Sequence, residues 1–425
     1  MNVSTIVLLI ISYIFYASLD MHSLPVLFAM SLFTWFGGVL LYRMRPKGEK
    51  ITRGVCFALI SIQVLVLCVF KYTPSLRLPV GMSFYMLMAI SYLVDVVRGE
   101  YDTLPSVWEV LLYISFFPTV ISGPIMKSKE LIPQFSHRKR LDTKRLSDGL
   151  WMFAIGLFVK FVMADRLAVA VDKVYSAPLV YSGLTLLITS IGYTLQLLFD
   201  FAGYSYMAIA VAHIIGFDIM QNFNLPYMST NPSEFWRRWH ISLSSWLKDY
   251  VYIPLGGSRK GTARTYINIL LVMIVSGLWH GSTINFFIWG VLHGLGQMVH
   301  RAVTSGAKKD ATGKCVRIFS MILNFLFVSF LWIPFRVSTL SDTMTILKRI
   351  FTFADGASYY YVYTFIFAAA LLLVQYIGAR RHGGNDPLRP LPLDKMYGRI
   401  IFCVLLIATA MFAYFGNGAF IYASF

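Results

Sequence analysis

The sequence predicts an all-α polytopic membrane protein, and three observations predict it. Of 425 residues, 57% are hydrophobic and only 13% charged, with a mean hydropathy of +0.65. An average globular chain has about 25% charged residues, and a water-soluble surface has to be largely polar. Apolar runs recur along the whole chain, and 28 of its 37 cations fall in five segments between them. Such a distribution follows the positive-inside rule. Soluble secreted, nucleic-acid-binding and disordered classes are excluded at this step. The excess of 37 Lys and Arg over 20 Asp and Glu reports membrane topology, and nucleic acid is not an expected partner.

A spanning helix takes about 20 mostly apolar residues. Runs of this kind predict about eleven transmembrane helices, near 4–20, 24–42, 54–70, 80–97, 147–165, 183–213, 265–280, 283–300, 318–335, 359–378 and 400–418. The first lacks a small-residue cleavage site, so it reads as a retained helix. No 20–50-residue period repeats, which argues against solenoids and inverted-repeat transporters. The four cysteines, Cys56, Cys68, Cys315 and Cys403, show no CxxC spacing, so neither a disulfide framework nor a metal site is expected.

The basic segments are 43–53, 127–145, 237–264, 301–317 and 379–399. All five face the cytoplasm only if 107–126 and 235–256 do not cross. The first contains Phe117-Pro118 and Ser122-Gly123-Pro124, and broken backbone at membrane depth needs protein or a water-filled cavity around it. It therefore reads as re-entrant. In 235–250, Trp236, Trp239, Leu243, Trp246 and Tyr250 recur at helical spacing, which predicts an amphipathic helix in the interface plane. The resulting topology has the N-terminus inside, the C-terminus outside, and one membrane domain over 1–425 with a central funnel.

Ionisable groups inside spans are costly and are functional candidates by default. His280 leads, set in Ser276-Gly277-Leu278-Trp279-His280-Gly281 between two apolar runs. His240 follows, on the aromatic face of the amphipathic helix. For each, a hydrogen-bonded structural histidine remains the alternative. His293 reads as packing. Asp200, between Phe199 and Phe201, must be paired or neutral, and a structural pairing with Arg or His is the expected role. Gly256-Gly257-Ser258-Arg259-Lys260-Gly261 is a basic glycine loop that suits phosphates, a weak signal alone. HExxH, GxxxxGK[ST] and clustered coupling carboxylates are missing from the sequence. A membrane histidine without a nucleophilic Ser or Cys motif suggests a general base acting on a substrate hydroxyl.

The run Glu234-Phe235-Trp236-Arg237-Arg238-Trp239-His240-Ile241-Ser242-Leu243-Ser244-Ser245-Trp246-Leu247-Lys248-Asp249-Tyr250 continues to Val251-Tyr252-Ile253-Pro254-Leu255-Gly256-Gly257, and Gly277-Leu278-Trp279-His280-Gly281 follows. Together they closely resemble the membrane-bound O-acyltransferase family, in its alginate O-acetylase and peptidoglycan O-acetyltransferase branch. Leu78–Tyr85, Phe116-Phe117-Pro118, Asp200–Ser205 and Asn222–Tyr227 fit as well. The resemblance implies tilted helices around a thin centre, with a cytoplasmic tunnel for the acyl donor. It implies His280 as catalytic base and His240 as a second pocket residue. The ending Phe420-Ile421-Tyr422-Ala423-Ser424-Phe425 is similar to an aromatic motif whose tyrosine is proposed to carry the acyl group. An aromatic-belt anchor is the alternative for Tyr422. Two features depart from the pattern: Tyr206 stands where alginate-type members often have Asp, and the chain begins at what resembles the family's second helix.

The expected reaction is acetyl transfer from cytoplasmic acetyl-CoA, a substrate and not a bound cofactor, for O-acetylation of a cell-wall or secreted polysaccharide or peptidoglycan. Arg237, Arg238, Trp239, Arg259 and Lys260 are the expected donor-binding residues, and Trp279, Asp200, Tyr204 and Asn285 complete the candidate pocket. The catalytic motifs lie in 233–300. Expected partners are membrane lipids and an extracytoplasmic Ser-His-Asp (SGNH-type) transferase. D-alanyl transfer to teichoic acids from a carrier-protein thioester is the runner-up. A lipid or glycan transporter is the rival from another class, and it predicts coupling carboxylates or repeat symmetry.

Overall fold

The computed structural model describes residues 3–304, 313–381 and 391–414, without the side chains of 372 and 374–381. Among them every extended element is a helix, and the one β-bridge pairs Tyr181 with Ala357. Two compact units form, one from 3–153 with 207–220, the other from 154–206 with 221–414.

The first unit begins with α1 (Val3–Asp20), α2 (Leu24–Met44), α3 (Glu49–Tyr72) and α4 (Met82–Arg98). α2 packs on α4, and α3 packs on both. Outward residues such as Phe57 and Leu65 of α3 are exposed and apolar, as a lipid-facing surface requires. Gly81, at φ +71°, starts α4; a Cβ there would lie 2.1 Å from the Val120 carbonyl oxygen, so only glycine fits.

α5 (Val107–Ser115) is opened by a Ser106–Glu109 capping box and has nine residues. At 1.5 Å per residue it is about 14 Å long, against about 30 Å of hydrocarbon, so it is too short to span by itself. The irregular stretch that follows is buried and its backbone is satisfied by protein. The Tyr113 hydroxyl donates to the Met126 carbonyl at 2.8 Å, and the Phe117 N–H donates to the Ser12 hydroxyl at 3.2 Å. α6 (Ser128–Ser136) and α7 (Thr143–Leu157) come next.

In the second unit α7 passes into a π-helical turn, Phe158–Ala164, and then α8 (Asp165–Tyr175). The extra residue per turn points Lys160 inward to α9 (Gly183–Ile214). There its ammonium bonds the Asp200 carboxylate at 2.5 Å and Asp165 at 2.7 Å. Asp200 is thus a paired carboxylate, as the sequence requires, with Lys160 in the place where Arg or His was expected.

α12 (Thr262–His280) and α13 (Ile284–Thr304) pack backbone to backbone. A Cβ on Gly277 would lie 2.3 Å from the Phe286 carbonyl oxygen, and one on Gly290 2.4 Å from that of Met273. α14 (Lys314–Arg336), α15 (Leu340–Phe351), α16 (Val362–Arg381) and α17 (Met396–Phe412) complete the unit. α15, with Thr343, Ile346 and Ile350 buried on one side, is an amphipathic helix absent from the sequence reading.

Each of the eleven apolar runs is helical, the last as far as Phe412, with 415–418 outside the described residues. Five helical segments among the described residues are long and apolar enough to cross a membrane. They are Val3–Lys47 (which contains α1 and α2), Glu49–Tyr72, Gly183–Ile214, Thr262–His280 and Lys314–Arg336. One expectation is corrected: 235–250 is not a continuous helix. It divides into α10 (Pro232–Arg238) and α11 (Ile241–Leu247), followed by a π-helical turn over Lys248–Tyr252. The apolar positions Trp236, Trp239, Leu243, Trp246 and Tyr250 are nonetheless all buried. Because α12 and α13 touch through backbone, a Gly290→Val substitution should lower stability by about 1–3 kcal/mol or more. The loss should register as a reduced thermal midpoint of the detergent-solubilised protein.

Candidate active site

α12 ends with Trp279-His280, and Gly281 terminates it in an extended conformation. The His280 ring, 2% exposed, sits in a cage of Trp279 (ring centroids 4.8 Å apart), Trp289 of α13 (5.2 Å) and Phe335 of α14 (5.2 Å). Asn285, fully buried at the start of α13, donates to the Val337 carbonyl at 2.7 Å and so ties the 281–285 link to the end of α14.

His240 occupies the break between α10 and α11. Its backbone is left-handed, φ +44° and ψ +55°, and it is fully buried. A non-glycine residue in this region costs on the order of 1–3 kcal/mol, and such strain clusters at functional sites. The ring meets Phe201 edge-on at 4.7 Å and Trp279 at 6.2 Å. The Trp279 indole therefore contacts both imidazoles, and these two sequence candidates share one aromatic cluster. Burial among these rings lowers the His240 pKa and keeps the imidazole neutral.

His293 packs in the same unit. The Trp236 indole N–H donates to its Nδ1 at 3.3 Å, which places the ring proton on Nε2. The expectation that His293 is a packing residue matches this geometry.

The expected donor-binding residues separate. Arg237, Arg259 and Lys260 are exposed. Arg238 is held by Glu234, with an ion pair at 3.0 Å, and by the Asn224 carbonyl at 3.2 Å. Trp239, 1% exposed, is stacked on Phe235 at 5.5 Å and meets Phe223 and Trp332 at 5.1 Å each. Arg238 and Trp239 thus hold the motif together, while the exposed cations remain able to meet an anion. The glycine loop is pinned by buried Asn268, whose amide donates to the Gly257 carbonyl at 2.9 Å. Tyr204 is half-buried on α9, and Tyr422 lies outside the described residues.

An apolar cavity of about 370 Å³ in this unit has Phe158, Phe199, Phe223, Phe367 and Leu371 in its wall and neither histidine, although Phe223 also meets Trp239 and Phe201. Among the described residues no group of three or more His, Cys, Asp or Glu side chains could hold a metal ion.

With this geometry in place, the profile of the membrane-bound O-acyltransferase family matches residues 8–341. The chain belongs to the membrane-bound O-acyltransferase family. It is 35% identical to the probable alginate O-acetylase AlgI of Azotobacter vinelandii over 371 residues, which cover 82% of this chain and 73% of that protein. It is 33% identical to the peptidoglycan O-acetyltransferase of Helicobacter pylori over 384 residues, 80% and 72% of the two chains. A teichoic acid D-alanyltransferase of Bacillus subtilis is 28% identical over 351 residues, 75% and 87%. As a member of this acyltransferase family the chain is an enzyme.

Sequence reasoning missed Lys160, although a lysine inside the apolar run Phe158–Met163 was a readable signal. It also assigned no role to Asn222, Ser242, Trp289 or Phe335. For Glu234, burial alone would raise the pKa, but hydrogen bonds from Thr230 and the Arg238 charge outweigh it and hold the carboxyl below its ordinary 4.5. A depressed carboxylate contributes stability that is present above its unfolded pKa and lost as pH falls through the folded one. The thermal midpoint should accordingly fall as pH drops below about 4.5, and Glu234→Gln should flatten that dependence, as followed by differential scanning fluorimetry.

Proposed function

We propose that this enzyme transfers an acetyl group from cytoplasmic acetyl-CoA across the membrane for O-acetylation of a cell-wall or secreted polysaccharide. The observation that carries the reading is the meeting of His280 and His240 on one indole, Trp279, inside a family of acyltransferases. Relatives that acetylate alginate or peptidoglycan, by their names, support the acetyl group and the glycan class.

His280 acts as general base. It takes the proton of an acceptor hydroxyl as the oxygen attacks the thioester carbonyl carbon. The carbon–sulfur bond breaks, and the imidazolium returns the proton to the departing thiolate. Such a base contributes about 10²–10⁴ in rate. The acceptor is a glycan hydroxyl or Tyr422, whose ordinary pKa near 10 calls for a positioned base. An extracytoplasmic Ser-His-Asp-type transferase then relays the acetyl group. Arg237, Arg259 and Lys260 offset donor phosphates at the cytoplasmic face. Eleven crossings, the N-terminus inside, the C-terminus outside and a tunnel leading to His280 from the inner leaflet belong to this proposal.

D-alanyl transfer from a carrier-protein thioester is the second reading, favoured by the 28%-identical teichoic acid relative. Incubating proteoliposomes with radiolabelled acetyl-CoA or with a D-alanyl-carrier thioester separates the two. In the first arm, label should pass to acceptor in the wild type and fall at least a hundredfold in His280→Ala at equal membrane expression. Full transfer by His280→Ala removes the assignment.

A further inference from the structure

The strained turn at His240 is held by one amide side chain. The Asn222 Oδ1 accepts two hydrogen bonds from Ser242, from the backbone N–H at 3.3 Å and from the hydroxyl at 2.6 Å. Its Nδ2 donates to the Ser205 hydroxyl at 3.2 Å, and its own carbonyl accepts the Ile241 N–H at 2.9 Å. Two positions on, the Asn224 N–H donates to the Arg238 carbonyl at 2.9 Å. Residues 222–224 thus grip both sides of the break that sets His240. Asn222, Ser242 and Ser205 are all buried.

These bonds carry information about protons. A backbone N–H can only donate, so the Asn222 atom facing Ser242 is the oxygen. An amide oxygen has no hydrogen, so the 2.6 Å contact uses the single hydroxyl proton of Ser242. Toward His240, whose Nδ1 lies 3.5 Å from the same hydroxyl, Ser242 has only lone pairs to offer. A hydrogen bond across that contact therefore takes its proton from the ring Nδ1.

We infer that Asn222 and Ser242 are positioning residues that hold His240 as its Nδ1–H tautomer, so that Nε2 carries a lone pair and not a proton. The inference rests on the proposed placement of His240 in the acyl-transfer site. It changes the role expected for this histidine. A neutral ring of this tautomer cannot donate from Nε2 to a thioester carbonyl. It orients a donor group, which in acyl transfer is the acceptor hydroxyl. Burial disfavours the doubly protonated ring that would escape this restriction. His293 provides the contrast, because the Trp236 indole donates to its Nδ1 and so gives it the opposite tautomer.

Solid-state ¹⁵N NMR of histidine-labelled protein in proteoliposomes tests this directly, with His240 identified by the signals lost in His240→Gln. The expected wild-type spectrum has a protonated Nδ1 and an unprotonated Nε2 at His240; the reverse assignment overturns the inference. In Ser242→Ala the His240 signals should become a mixture of tautomers, and kcat for acetyl transfer should fall about tenfold to a hundredfold, the range for outer hydrogen-bond partners of functional histidines. KM for acetyl-CoA should stay unchanged. An unaltered tautomer together with unaltered kcat in Ser242→Ala also overturns it. Activity in His280→Ala is read separately: if it persists, the proposed function fails while the tautomer measurement still decides the inference.

Discussion

A polar backbone group buried away from water has only protein to bond, so every interruption of a buried helix must be satisfied by the protein itself. This constraint governs the whole arrangement around His240. Between α10 and α11 the chain leaves helical geometry for one residue, and the freed groups are taken up by 222–224 and by the continuing turns. The Trp239 N–H returns to Phe235, and the Ser244 N–H finds the His240 carbonyl. The imidazole is then carried on a rigid corner and not on the side of a mobile helix. Rigid first contacts of this kind are what a base or orienting group needs to work at a fixed distance.

The second support is aromatic. Trp279 links His240 to His280, and Trp289 links His280 to His293 through ring contacts of 5.2 and 4.8 Å. Three histidines therefore share one set of indoles, yet their surroundings differ. His293 is tied down as a hydrogen-bond acceptor by Trp236. His280 stands at a helix terminus where α12, α13 and α14 contribute the cage. The backbone contact at Gly277 and Gly290 lets α13 approach closely enough for Trp289 to reach the ring.

Much of this was readable before the fold was known, because apolar runs and aromatic spacing report burial directly. The eleven helical runs, the short α5 and the buried face of 235–250 follow from that signal. The break at His240 does not, since neither proline nor glycine marks it and the aromatic spacing fits a continuous helix equally well. What enforces the break is Asn222, distant in sequence, and pairing of that kind leaves no local pattern. The same holds for Asp200. Its need for a partner was evident, but the choice of Lys160 depends on a π turn that periodicity cannot reveal. For the candidate site, the sequence singles out both histidines by their motifs, and the structure brings them onto one indole. The intramolecular partners of Arg238 and Trp239 were not legible, because a cation and an indole in a motif look alike whether they meet a ligand or their own loop.

That π turn has a bearing on how the lineage of this chain can vary in length. A π turn is equivalent to one residue inserted into an α-helix. Removing a single residue from 158–164 would let ordinary α winding run through with the flanking helices still in phase, and the wide turn that carries Lys160 inward would be lost. Lys160 would then leave its two carboxylates, and a pair of uncompensated buried anions would remain. Deletions here are thereby penalised by electrostatics, not by lost packing, whereas the outward face of the same helix is open to exchange among apolar side chains.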